Sequence, residues 1–202
     1  GDGGHVAYVS GLSGGGTVTT TAHALFAGLP SGPGLVVRQG EPTPSSGLNF
    51  EVPGSLNINP TGHVAFRSSL RSSTTLYPNS GIYIASPNDV TGAYMVEKVA
   101  SRGDNPPGSA ATFLTFSAPS INPAGDVAFM GEAGVVAANQ YLLVGRPGKL
   151  VTVAHTGEPI VGNSSTPLIA DRFSDPLLST NGAVTFQASI GGVDAGHNAA
   201  LF

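Results

Sequence analysis

The sequence has no cysteine and no tryptophan, two lysines among its 202 residues, and charged side chains at only 10% of positions. Each scarcity excludes something. Without cysteine there is neither a disulfide framework nor a thiolate metal site. Without tryptophan the large aromatic platform on which glycan sites usually rely is missing. A net charge of -4 with no Lys/Arg cluster argues against nucleic acid and anionic membrane as partners, since both call for basic patches. No apolar run approaches the roughly 18 to 20 residues that span a bilayer, so no transmembrane segment is expected. No window free of Gly and Pro places apolar residues at i, i+3, i+4 and i+7, as an amphipathic helix would. The chain begins at Gly1 with no charged and apolar leader, as expected of a processed or excised chain. What is abundant is Gly, at 29 residues, and Pro, at 16, in a chain that is 40% hydrophobic. Glycine at that frequency disfavours long helices, and the composition predicts an all-β protein of short strands.

Internal repetition carries most of the information. A Gly-x-Val-(Ala/Thr)-(Phe/Tyr) motif recurs at Gly4 to Tyr8, Gly62 to Phe66, Gly125 to Phe129 and Gly182 to Phe186, with the valines 58, 63 and 57 residues apart. A second apolar segment follows each copy, "ALFAG" at 24–28, "GIYIA" at 81–85, "YLLVG" at 141–145 and "AALF" at 199–202. A third runs into Gly and then an acidic residue: "LVVRQGEP" at 35–42, "MVEKVASRGD" at 95–104 and "LVTVAHTGEP" at 150–159. A fourth carries Phe50, Phe113 with Phe116, or Phe173, and leads into the next turn. Four short strands per unit, separated by turn signals, predict a β-propeller-like array of four-stranded units, about three and a half repeats of roughly 60 residues each. The units fall near 1–58, 59–121, 122–178 and a partial 179–202, in one repeat domain spanning 1–202.

The best-preserved stretches are "INPTGHVAF" at 58–66 and "INPAGDVAF" at 121–129. Asn59-Pro-x-Gly62 and Asn122-Pro-x-Gly125 have the residue order of a four-residue turn, with Asn at i, Pro at i+1 and Gly at i+3, so each is read as a hairpin corner. The copy at Ser179 to Gly182 keeps a capping side chain and the Gly. In the strand that follows, Val64 and Phe66 point one way and Ala65 the other, and the same holds for Val127, Phe129 and Ala128. All are apolar, so both faces of the strand are expected to be buried, with small Ala opposite large Phe letting neighbouring sheets interleave. Phe129→Ala is accordingly expected to act on stability.

On these residues the chain resembles the bacterial tandem-repeat proteins named for Asn-x-x-Gly-x-x-Ala-Phe repeats. The match lies at Asn59, Gly62, Ala65 and Phe66, and at Asn122, Gly125, Ala128 and Phe129; it departs at Ser179 and Thr185, and at Gly1 and Tyr8. The resemblance implies a propeller-like fold and an exported or surface-anchored location, and it brings no catalytic residues.

Candidate chemistry is sparse. Glu41, Asp104 and Glu158 are repeat-equivalent and would lie on one ring, either converging on a hard cation such as Ca²⁺ or a polar ligand, or capping their own Gly-acid turns. His5 and His63 are repeat-equivalent, but Asp126 and Ala183 hold the same position, and no HxH or HExxH spacing occurs, so surface or turn roles are expected for the histidines. "GLSGG" at 11–15 imitates a nucleophile elbow yet follows a strand and enters no helix. Arg102-Gly103-Asp104 is an integrin-type tripeptide whose Gly and Asp the repeat already explains, and Asn163 heads a formal glycosylation acceptor. No catalytic residue and no cofactor beyond that candidate cation are expected.

Two functions fit. The first is a non-catalytic extracellular structural or interaction protein that associates with other copies of itself through incomplete repeat ends, helped by low charge. The second is a carbohydrate-binding or carbohydrate-processing propeller in which Tyr77, Asn79, Arg67, Arg71 and Tyr141 contact a surface glycan. The Asn, Gly and Phe of the motif (Asn59, Gly62, Phe66, Asn122, Gly125, Phe129, Gly182, Phe186) are expected to be structural in either case.

Overall fold

Alternating apolar residues and frequent turn signals do produce strands and no helix among the described residues. The computed structural model describes residues 4–13, 23–44, 47–72, 79–88, 90–134, 139–160, 168–191 and 199–201. A first sheet contains β1 (Val6–Gly11), β2 (His23–Gly28) and β3 (Gly34–Arg38), in that order. A second contains β4 (Asn49–Ile58), β5 (Val64–Arg71), β6 (Asn79–Pro87) and β7 (Tyr94–Ser101), again in chain order. The third contains β8 (Phe113–Phe116), β9 (Ser120–Ile121), β10 (Val127–Ala133), β11 (Asn139–Arg146) and β12 (Lys149–His155), with β8 and β9 both pairing with β10. The last region holds β13 (Pro159–Ile160), β14 (Leu168–Phe173), β15 (Leu177–Leu178), β16 (Val184–Thr185), β17 (Gln187–Gly191) and β18 (Ala199–Leu201). There β13, β14, β17 and β18 form a sheet, and the β15–β16 hairpin continues it through the Ser174 N–H donating to the Gln187 carbonyl at 2.9 Å. All these pairings are antiparallel.

The sheets are offset by one strand from the sequence units. The turn at 59–63 is a hairpin corner, so the strand before it must pair with the strand after it: Ile58 faces Val64, Ile121 faces Val127 and Leu178 faces Val184. What reads as the fourth segment of one unit is therefore the first strand of the next sheet. Sheets begin at 49 and 113, whereas the sequence units begin near 59 and 122.

Consecutive sheets pack face to face. Val64 and Phe66 of β5 join Leu25, Ala27, Val36 and Val37 of the first sheet in one apolar cluster. Ala65, on the other face of β5, joins Ile82 and Ile84 in a cluster with Phe113, Phe116, Val127 and Phe129 of the third sheet. Leu142, with Met130 beside it, packs on Ala170, Phe173, Phe186 and Ala188 of the last. Val64, Ala65, Phe66, Val127, Ala128 and Phe129 are all 0% exposed, so the expectation of strands buried on both faces holds in the two middle sheets. It does not extend to the first, where Val6 and Tyr8 are 37% and 43% exposed. The first strands of successive sheets are neighbours: β9 touches β4 and β5 on one side and β15 on the other.

Candidate functional site

The repeated corner is built from its own polar groups. The Asn59 N–H donates to the His63 carbonyl and the Gly62 N–H to the Asn59 carbonyl, both at 3.0 Å, with Gly62 at φ +83°. That is the pattern of a three-residue hairpin loop, a type I turn closed by a left-handed glycine in a bulge. The corners at Gly125 and Gly182 repeat it, with φ of +83° and +85°. Inside the first, the Asn59 Oδ1 accepts from the Thr61 N–H at 3.1 Å, the Thr61 hydroxyl at 2.9 Å and the His63 N–H at 2.9 Å. Its Nδ2 donates to the Asn122 carbonyl at 2.9 Å, joining one corner to the next. Asn122 in turn accepts from the Asp126 N–H at 2.8 Å and donates to the Asp126 carboxylate at 3.1 Å. Both asparagines are 2% exposed. A buried amide with its donors and acceptors already engaged is a structural part.

Asp126 also accepts from the Arg146 Nε at 2.6 Å. The Arg146 hydrogen bond, joined by that from Asn122, holds the Asp126 carboxyl below its ordinary value of 3.8, and the same contact raises the Arg146 guanidinium.

Glu41, Asp104 and Glu158 occupy equivalent turns, and each is engaged locally. Glu41 accepts from the Arg38 N–H at 3.0 Å and lies 3.6 Å from the Arg38 guanidinium. Asp104 accepts from the Ser101 N–H at 2.8 Å and from the Lys98 ammonium at 3.0 Å. Glu158 lies 2.8 Å from the His155 Nε2. The structure does not bring the three carboxylates together, and among the described residues no three His, Asp or Glu side chains gather as a metal would need. The backbone of these turns has a role that the sequence did not disclose. Gly40 donates to the Phe50 carbonyl while Phe50 donates back to Glu41; Gly103 and Asp104 do the same with Phe113, and Gly157 and Glu158 with Ala170. Each Gly-acid turn thus sews the last strand of one sheet to a strand of the next (β4, β8 and β14 in turn), which also accounts for the Gly and Asp of the Arg102-Gly103-Asp104 tripeptide. The basic partner on the preceding strand (Arg38, Lys98, His155) was a signal available in the sequence and missed there.

A second missed signal is Phe-Ser-x-Pro, at 116–119 and 173–176. Here the first strand bulges: the Ser117 hydroxyl accepts the Met130 N–H and the Ser174 hydroxyl the Gln187 N–H, both at 3.0 Å. The serine hydroxyls thus supply the acceptors for these two N–H groups where the strand bends ahead of the prolines.

The remaining candidates disperse. His5 lays its ring against Gly62, and the His23 Nδ1 meets the Gln39 amide oxygen at 3.1 Å. Of the glycan-contact set, Tyr141 is 6% exposed with its hydroxyl on Ser109 at 3.1 Å, so it is not presented to a ligand, while Arg71 is exposed and pairs with Glu51 at 3.2 Å. Tyr77, Asn163, His197 and the Gly14-Gly15 end of "GLSGG" lie outside the described residues. No helix among the described residues is long and apolar enough to cross a membrane.

Small antiparallel sheets with recurring corners, seams and aromatic contacts define the molecule as an all-β repeat protein. The chain belongs to a family of unknown function (DUF7453), matched by residues 1–93 and again by residues 88–202. Each match contains two of the four Gly-x-Val motifs. No curated protein and no solved structure matches the chain.

Proposed function

We propose that this chain is a non-catalytic structural or interaction module whose sheets are propeller-like blades, and that it associates with a second copy through the outer face of its first sheet. The propeller reading draws on the chain-order meander of each sheet and on the adjacency of the first strands β4, β9 and β15. The observation that carries the association is the exposure of Val6 and Tyr8, at 37% and 43%, where their equivalents Val64 and Phe66, and Val127 and Phe129, are 0% exposed beneath the preceding sheet. Tyr8 stacks on Phe26 with ring centres 5.6 Å apart, and Leu35, 46% exposed, extends the same sheet's apolar surface. The last sheet offers a more polar face, since exposed Thr185 stands where Ala65 and Ala128 face the following sheets and Gln187 and Ser189 beside it are polar and exposed, with Leu177, across from Thr185, an exposed apolar residue on it. A second copy presenting the same apolar face does match, which makes the contact two-fold and self-complementary. An extracellular setting belongs to this reading and is supported by low charge and abundant Gly, Ser and Thr.

Burying each of these side chains is worth on the order of 1.5–3 kcal/mol, against an association cost of several kcal/mol. The dimer is therefore expected to be weak and to depend on concentration. Sedimentation velocity across a concentration series tests it: the wild type shifts to dimer as concentration rises, while Tyr8→Glu stays monomeric and remains folded, its melting midpoint lowered only by loss of the Phe26 stacking contact. A wild type that remains monomeric at millimolar concentration refutes the association.

A further inference from the structure

Arg67 stands in a position where the first and third sheets use apolar side chains and the last sheet has the exposed Gln187. It lies on the face of β5 that carries Ala65, directly across the ladder from Ile82. The equivalent residue of the third sheet is Met130, across from Leu142, and that of the first is Val9, across from Leu25. Met130 and Val9 pack into the apolar clusters between sheets. Arg67 is half-buried, its Nε is buried with no hydrogen-bond partner, and no carboxylate pairs with it among the described residues, whereas Arg38, Arg71, Lys98 and Arg146 each have one. Leaving a buried donor unmade is expensive, more so when it is charged. The surroundings are shaped as well. Arg67 lines an open recess of about 230 Å³ with Val52, Gly54, Ser55 and Ser69, none of them acidic. Gly54 is its cross-strand neighbour, and nothing lies within 4 Å of where a Gly54 side chain would begin. Next to it β4 changes register between Gly54 and Leu56, and Ser55 has φ +43°, the one non-glycine residue with positive φ among those described. Bulges and left-handed non-glycine residues concentrate where a strand is bent to make a site.

We propose that this recess binds a small oxyanion group, a sulfate, phosphate or carboxylate, with the Arg67 guanidinium as its principal donor. The planar fork of Arg suits such groups geometrically, and no carboxylate among the described residues competes for the terminal nitrogens of the guanidinium that lines the recess. The site is independent of the dimer face on the first sheet. The test compares the melting midpoint of the full chain in sodium sulfate, sodium phosphate and sodium glucuronate with that in sodium chloride at equal ionic strength, alongside calorimetric titration of the wild type. Sulfate stabilises proteins generally by exclusion from their surface, so the reading is the difference between wild type and Arg67→Met, which carries the residue of the equivalent position. The expected result is saturable heat for at least one of the three anions. The midpoint in that anion rises in wild type and in the control Arg71→Gln but not in Arg67→Met, and Arg67→Met gains midpoint in chloride. Which anion responds identifies the group. An equal rise in wild type and Arg67→Met, or no saturable heat with any of the three, overturns the proposal whether or not the variant folds well.

Discussion

At the scale of single residues, the polar side chains of the corners act on stability. Asn59 loses four hydrogen bonds when truncated, three accepted at Oδ1 and one donated from Nδ2 to the next corner. Asn59→Ala is expected to lower unfolding free energy by about 1–3 kcal/mol, the penalty of leaving buried backbone groups unpaired, read from the midpoint of a urea titration. Asp126 adds a pH dependence whose sign is fixed by its neighbours. Its folded carboxyl titrates below the ordinary 3.8, so the stability it contributes is complete above that value and is lost as pH falls through the lowered one. Asp126→Asn should therefore flatten the loss of stability between neutral pH and about pH 2, and an acid limb identical to that of the wild type would show that other carboxylates set it. Phe129, 0% exposed and in edge contact with Phe116 at 5.8 Å, anchors the second-to-third sheet interface. Its truncation to Ala should reduce stability by about 3–5 kcal/mol.

At the scale of elements, glycine divides into positions that differ in what they tolerate. Gly125 closes its corner at φ +83° with open space around the missing side chain, so Gly125→Ala meets only backbone strain, about 1–2 kcal/mol. Gly145, at φ +151° where β11 turns into β12, would press a side chain into the Lys149 carbonyl, and Gly145→Ala is expected to cost about 3 kcal/mol or more by disrupting that hairpin. Equal effects of the two substitutions in denaturant would refute this distinction. The corners were legible in the sequence because Asn-Pro-x-Gly encodes a local conformation, and so were the strands, because Val-Ala-Phe alternates over a short span. The boundaries of the sheets were harder to read, since a repeat found by its most similar segment starts at that segment, while a hairpin joins it to the strand before. The roles of Glu41, Asp104 and Glu158 were hidden for a related reason. Their repeat spacing is equally compatible with convergence and with local capping, and only the positions of Arg38, Lys98 and His155 in three dimensions decide between them. Arg67 was visible as a basic residue, yet its departure from the pattern of Val9 and Met130 emerges only when strand register is known.

At the scale of the whole molecule, the sheets form a series in which the apolar clusters join each one to the next: first with second, second with third, third with last. A series of this kind behaves as a nearly one-dimensional system, its stability a sum of terms within units and terms between neighbours. The second and third sheets each have a neighbour on both faces, with Val64, Ala65, Phe66, Val127, Ala128 and Phe129 fully buried. The first has Val6 and Tyr8 open to solvent, and the last has Thr185, Gln187 and Ser189 exposed. Native-state hydrogen exchange should follow that arrangement. Amides of β5, β6, β10 and β11 are expected to exchange slowest, and those of β1, β3, β14 and β17 faster by local opening of the end sheets. Leu142, 0% exposed, belongs to the cluster that holds Ala170, Phe173, Phe186 and Ala188. Leu142→Ala should therefore accelerate exchange in β14 and β17 while leaving β2 and β5 nearly unchanged. A single exchange rate shared by all sheets, shifted together by Leu142→Ala, would mean that the molecule opens only as one cooperative unit.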